Sequence, residues 1–152
     1  MFNKGKENKI SAIIQEKLSA CNGQAFMPVL RGEPIAFRIS KTGWGIETDK
    51  LPGYIFVWQH FDEIVKKANA LGGKMYRGDV LARSGGKLGE EISYDTMEGF
   101  IAGELLCTEE GKAVTRRSTY YSGILAWAGI VTVHKSQGKG SFITVNPAYQ
   151  KY

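Results

Sequence analysis

The side chains that most often hold metals or attack substrates are scattered. His60, His134, Cys21 and Cys107 show no His-x-x-x-His and no Cys-x-x-Cys spacing, which predicts no metal site and no cofactor held by these ligands. Two cysteines 86 positions apart form no disulfide framework, so a reducing, cytoplasmic setting is expected. Gly85-Gly86-Lys87 has the ending of a phosphate loop, but Leu88 stands where a Ser or Thr would hold Mg²⁺ and the leading glycine is missing. Gly43-Trp44-Gly45 lacks the third glycine of a dinucleotide loop and reads as a hairpin turn. No Gly-x-Ser-x-Gly nucleophile elbow occurs. Glu110-Gly111-Lys112 has the Glu-x-Lys spacing by which metal-dependent nucleases hold Mg²⁺ and position water. It sits in a charged connection rather than on a strand, so no residue is assigned a catalytic role.

The cations point elsewhere. Residues 1–111 carry 14 Lys/Arg against 15 Asp/Glu. Residues 112–152 carry Lys112, Arg116, Arg117, Lys135, Lys139 and Lys151 and no acid. Such a carboxylate-free stretch suits a surface facing a polyanion, where an acid would repel phosphate and each cation releases counterions.

The elements that position these residues follow from periodicity. Ile10, Ile13, Ile14 and Leu18 mark a helix over 9–20, with Gly23 after it. Residues 25–30, 35–40 and 44–48 read as strands, separated by the turns Arg31-Gly32-Glu33-Pro34 and Lys41-Thr42-Gly43. A second helix is expected over about 57–71, with Phe61, Ile64, Val65, Ala68 and Leu71 on one face and Gly72-Gly73 ending it. The resulting α-β-β-β-α order resembles double-stranded-RNA-binding domains, but their basic helix start is replaced here by His60-Phe61-Asp62-Glu63. Order alone assigns no function. Six glycines within 72–91 predict a linker, with one short strand inside it around Met75-Tyr76 or Val80-Leu81. The chain thus divides into an α/β domain of unknown role (1–73), a glycine-rich linker (74–93) and a C-terminal domain (94–152).

In that last part, Asp95-Thr96-Met97-Glu98 has capping-box spacing and opens a helix over about 95–107. A second helix opens at Thr115 or Ser118 and buries Tyr121, Ile124, Leu125 and Ala128, with Gly129 stopping it. Ile130-Val131-Thr132-Val133 and residues 141–145 are strands of a hairpin turning at Gln137-Gly138-Lys139-Gly140.

Helix, short connection, a helix ending Leu125-x-x-Ala128-Gly129-Ile130-Val131, then a hairpin tipped by Lys135 and Lys139: residues 94–149 resemble a winged-helix domain. The departure lies in residues 108–117, which leave little room for a separate second helix. The resemblance implies duplex DNA binding, with the helix after Thr115 in the major groove and the hairpin tip on backbone or minor groove. The residues it implicates are Thr115, Arg116, Arg117, Ser118, Thr119, Tyr120 and Ser122 on the helix, and His134, Lys135, Ser136, Gln137 and Lys139 on the wing.

The sequence therefore predicts an α+β, non-enzymatic DNA-binding protein without cofactor, metal or membrane span. It would be a transcriptional regulator or mobile-element factor acting by occupancy of double-stranded DNA. A homodimer is expected, since one such helix reads only a half-site, and an arm of Lys4, Lys6 and Lys9 could add contacts. The alternatives are a protein-interaction module using a winged-helix fold, in which the wing and Tyr120 and Trp127 contact a partner, and a Mg-dependent nuclease or nuclease accessory subunit.

Overall fold

Ile10, Ile14 and Leu18 recur every fourth residue and bury one stripe of helix α1 (Ile10–Ala20) in the computed structural model, which describes residues 9–135 and 140–152. The backbone N–H of Gly23 donates to the Leu18 carbonyl at 2.8 Å and closes the helix end. Four strands follow rather than three: β1 (Gln24–Met27), β2 (Ile35–Ile39), β3 (Gly45–Glu47) and β4 (Phe56–Val57). They form an antiparallel meander in the order β1-β2-β3-β4. Ala25 lies opposite Phe37, and Ile46 lies between Ile39 and Phe56, so one face is apolar. Strand β4 has only two residues, too few to show a period of two. Helix α2 (Trp58–Ala70) buries Phe61, Ile64, Val65 and Ala68 as its spacing requires. Leu71 falls beyond the last turn and is exposed.

The expected linker is built structure. Residues 74–76 form β5 (Lys74–Tyr76) and residues 79–83 form the one-turn helix α3 (Asp79–Arg83). Strand β5 pairs antiparallel with β7 (Phe142–Val145), which also pairs with β6 (Val131–His134), giving the order β5-β7-β6. Val80 and Leu81, considered as a strand from sequence, are helical. The glycines here serve tight turns and close approaches instead of slack. A Cβ on Gly86 would come within 2.7 Å of the Leu81 carbonyl oxygen. One buried cluster contains Ile10, Phe56, Met75, Tyr121 and Val145 together. The division at 1–73, 74–93 and 94–152 is corrected accordingly: both halves share a core, and the chain is mixed α+β with two small antiparallel sheets.

Helix α4 (Met97–Phe100) continues into a π-helical segment (Ile101–Leu105), where the Leu106 N–H reaches back to Ile101 at 2.9 Å. The capping box is corrected in detail. Thr96, not Asp95, is the cap, accepting from the Gly99 N–H at 3.1 Å. The Glu98 side chain instead crosses to the start of helix α5 (Ser118–Trp127), accepting from the N–H groups of Arg117 and Ser118 and from the Ser118 hydroxyl at 2.7–3.0 Å. The α5 cap thus comes from 20 residues upstream.

Helix α5 is walled in by its own chain. Tyr121 packs against Phe56 (4.8 Å between ring centroids) and Phe61 (5.2 Å), and Trp127 meets Phe37 edge-on at 5.2 Å. A Cβ on Gly123 would lie 2.7 Å from the Met27 Sδ. The first sheet therefore covers the face that a groove-reading helix would present, and a helix buried on most sides is a core element. Glycine at 129 (φ 78°) then lets the Ile130 N–H return to the Leu125 carbonyl at 3.0 Å, aiming the chain into β6.

Candidate functional site

A cleft of about 390 Å³ opens where four separate segments converge: the β1–β2 turn, α3, the first turn of α5 and the base of the β6–β7 hairpin. Among the described residues, five cations line it, Arg31, Arg77, Arg83, Arg116 and Lys135, against one acid, Asp79. Val29, Leu30 and Val80 form an apolar wall.

The floor is a buried polar network. Arg77 is 5% exposed and donates from each of its three guanidinium nitrogens to a neighbour. Its Nε donates to the Ser141 hydroxyl at 2.7 Å, Nη1 to the Ser122 hydroxyl at 2.9 Å, and Nη2 to Asp79 at 3.2 Å. The Ser141 hydroxyl donates in turn to the other Asp79 oxygen at 3.1 Å. Burial draws the Arg77 pKa below its ordinary value; the charges of Asp79 and Glu98 hold it up, and Arg116 pushes it down. Arginine keeps its charge through such shifts. Asp79 is therefore neutralised from within.

The rim is different. Among the described residues, no ion pair joins Arg31, Arg83, Arg116 or Lys135 to an acid. Arg116 is half-buried and held by a donated bond to the Thr119 hydroxyl at 3.3 Å. Arg31, Arg83 and Lys135 are exposed. Four unopposed positive charges around one concavity favour a multiply charged anion.

The residues expected on a reading helix separate into groups. Arg116, Thr119 and Lys135 line the cleft. Thr115 is exposed but lies outside it. Arg117 turns away, with its guanidinium 5.0 Å over the Tyr54 ring. Ser118, Tyr120 and Ser122 are corrected: all three are buried, Ser118 under Glu98, Tyr120 against Phe56 and Ser122 beneath Arg77. They cannot meet base edges. His134 is half-buried, bonded to the Thr144 hydroxyl at 2.8 Å and stacked on Phe142. Ser136, Gln137, Lys139, Lys4 and Lys6 lie outside the described residues. Lys9 is exposed at the start of α1 and lines no part of the cleft.

Sequence reasoning missed Arg31, Arg77 and Arg83. Arg31 sat in a stretch read only as a turn, and the arginines at 77 and 83 in one read as a linker. The near-neutral balance of residues 1–111 averaged all three away.

Other features are structural. Glu110 accepts from the Tyr94 hydroxyl at 3.0 Å. Among the described residues, no group of three His, Cys, Asp or Glu side chains comes together as a metal site. None of the described helices is long and apolar enough to cross a membrane. Comparison with protein-family models, curated proteins and solved structures finds no match to this chain.

Proposed function

We propose that the protein binds DNA by occupancy, holding backbone phosphates in the basic cleft. The observation that carries this is the convergence of Arg31, Arg83, Arg116 and Lys135, from four segments, around a cleft whose one acid among the described residues, Asp79, is already paired. The helix, connection, helix and hairpin between residues 97 and 145 support the winged-helix reading, with Lys135 as the wing's contribution. Contact then comes from the cleft rim in place of the second helix, which the first sheet covers. Phosphate contacts position a protein without choosing sequence, so binding is expected to be largely sequence-independent. The half-site argument for a dimer lapses with the reading helix. A regulator or mobile-element factor of low sequence selectivity fits this mode. Tyr120 and Trp127 pack inward, so a protein-interaction module would rest on the wing alone.

The test is fluorescence anisotropy with random-sequence duplex across a salt series. Each neutralised phosphate adds about −0.9 to the slope of log K against log salt, so four cations predict a slope of about −3 to −4. The Arg83→Ala/Arg116→Ala variant should flatten it by about 2. Undetectable binding at low salt, or an unchanged slope in that variant, overturns the assignment.

A further inference from the structure

The basic cleft does not end at Arg77. A second cavity, of about 410 Å³, shares Val29, Leu30 and Arg77 with it and runs on beneath the hairpin. Its lining is mostly apolar and small, with Gly123 and Ala126 of α5 and Val131 and Val133 of β6. The polar groups at its edge are committed to each other. Thr132 donates to Asn146 at 2.8 Å, and Asn146 donates to the Gly129 carbonyl at 2.8 Å. Two adjoining cavities thus share a wall, one cationic and the other mostly apolar, with buried Arg77 common to both.

We infer that this pair of cavities takes a single nucleoside monophosphate unit, its phosphate among Arg83, Arg116 and Lys135 and its base between Ala126 and Val133. The inference rests on the assignment of the cleft's cations to phosphate, and it deepens that assignment. A duplex backbone is convex and engages only the cationic cleft, whereas two adjoining cavities of ligand size also suit a small molecule. A charged head and a flat apolar body match the two cavities in order. Thr132 already bonds to Asn146, and Asn146 to the Gly129 carbonyl, so little discrimination between purines and pyrimidines is expected. The unit has two sources, a free nucleotide or the 5′-phosphorylated end of a strand, and both present the same monoester.

Calorimetry on the full chain tests this with AMP, CMP, adenosine and inorganic phosphate, alongside anisotropy with 5′-phosphorylated and 5′-hydroxyl single strands. AMP and CMP should bind within a few-fold of each other and about tenfold tighter than inorganic phosphate, since the slot adds apolar burial. Adenosine alone should give no detectable heat. Ala126→Leu fills the slot and should weaken AMP about tenfold while leaving phosphate and duplex binding unchanged. If that variant melts early, Val133→Phe fills the slot from the facing strand. A gain from the 5′-phosphate identifies strand ends as the source; equal binding of both strands with AMP retained identifies the free nucleotide. AMP no tighter than phosphate, or slot variants without effect on AMP, overturns the inference. Salt-steep duplex binding that survives such a result leaves the DNA reading standing. Duplex binding lost with AMP binding intact removes the DNA reading and keeps the nucleotide site.

Discussion

Arg77 donates to Asp79 across 3.2 Å at the floor of the cleft, with both residues buried and only two positions apart in sequence. The pair uses the only carboxylate among the described residues that line the cleft, and by doing so leaves the four rim cations unopposed. It also ties α3 and α5 to the residues flanking β5 and β7 through Ser122 and Ser141.

A buried pair of this kind costs most when broken from one side. Arg77→Met should destabilise the fold by about 3–5 kcal/mol, because Asp79 is left charged and without its cation. Arg77→Met/Asp79→Leu should be milder than Arg77→Met alone. Urea denaturation of the three proteins measures this, and a double variant less stable than the single one would refute the network as described.

Glu98 is fully buried and caps α5 from a distant helix. Glu98→Ala leaves the Arg117 and Ser118 N–H groups and the Ser118 hydroxyl without an acceptor, at a cost of about 3 kcal/mol or more. Burial raises the Glu98 pKa, more than the bonds from Ser118 and Arg117 lower it. The folded state then holds this proton more tightly than the unfolded chain does. The Glu98 contribution is greatest at acid pH and declines as pH rises through the raised value. The stability difference between wild type and Glu98→Gln should therefore shift against wild type as pH rises from the ordinary carboxyl range; a difference flat in pH would contradict it.

The Tyr121 hydroxyl bridges Tyr54 and His60 Nδ1, each at 2.8 Å, inside the core. Burial lowers the His60 pKa, so below about 6.5 the unfolded chain takes up the proton first. Stability should fall as pH drops from that value through the lowered one. Thermal melting at several pH values checks this, and His60→Asn should lose that part of the dependence. An identical profile in the variant would place the titration elsewhere.

Much of this architecture was legible because it is periodic. The stripe Ile10, Ile14, Leu18, the face Phe61, Ile64, Val65, Ala68 and the glycine stop at 129 all lie where spacing puts them. What was hidden depends on long-range contact. In Ser118–Trp127 the residues opposite the apolar stripe are Ser, Tyr and Gly, which suit a DNA-facing surface and equally a close packing seat for Met27 and Phe56. Local pattern does not distinguish the two. The cleft was half legible: a run without acids marks Arg116 and Lys135, whereas Arg31 and Arg83 reach it only through folding, from stretches where acids balance them in the count.

That hidden half yields the sharpest functional prediction. If the site were a reading helix with its wing, Arg31 and Arg83 would be bystanders, while Ser122 would matter. In the cleft the order reverses. Arg31→Ala and Arg83→Ala should each weaken duplex binding by an amount comparable to Arg116→Ala and each reduce the salt slope by about 1, as expected for single phosphate contacts. Ser122→Ala lies beneath Arg77 with its hydroxyl turned away from solvent, so it should cost about 1–3 kcal/mol of fold stability and leave the slope unchanged. Lys66→Ala, an exposed cation on α2 outside the cleft, is the control. Should Arg31→Ala and Arg83→Ala behave like Lys66→Ala, the polyanion lies along another surface and the convergence of cations around Asp79 has no part in holding it.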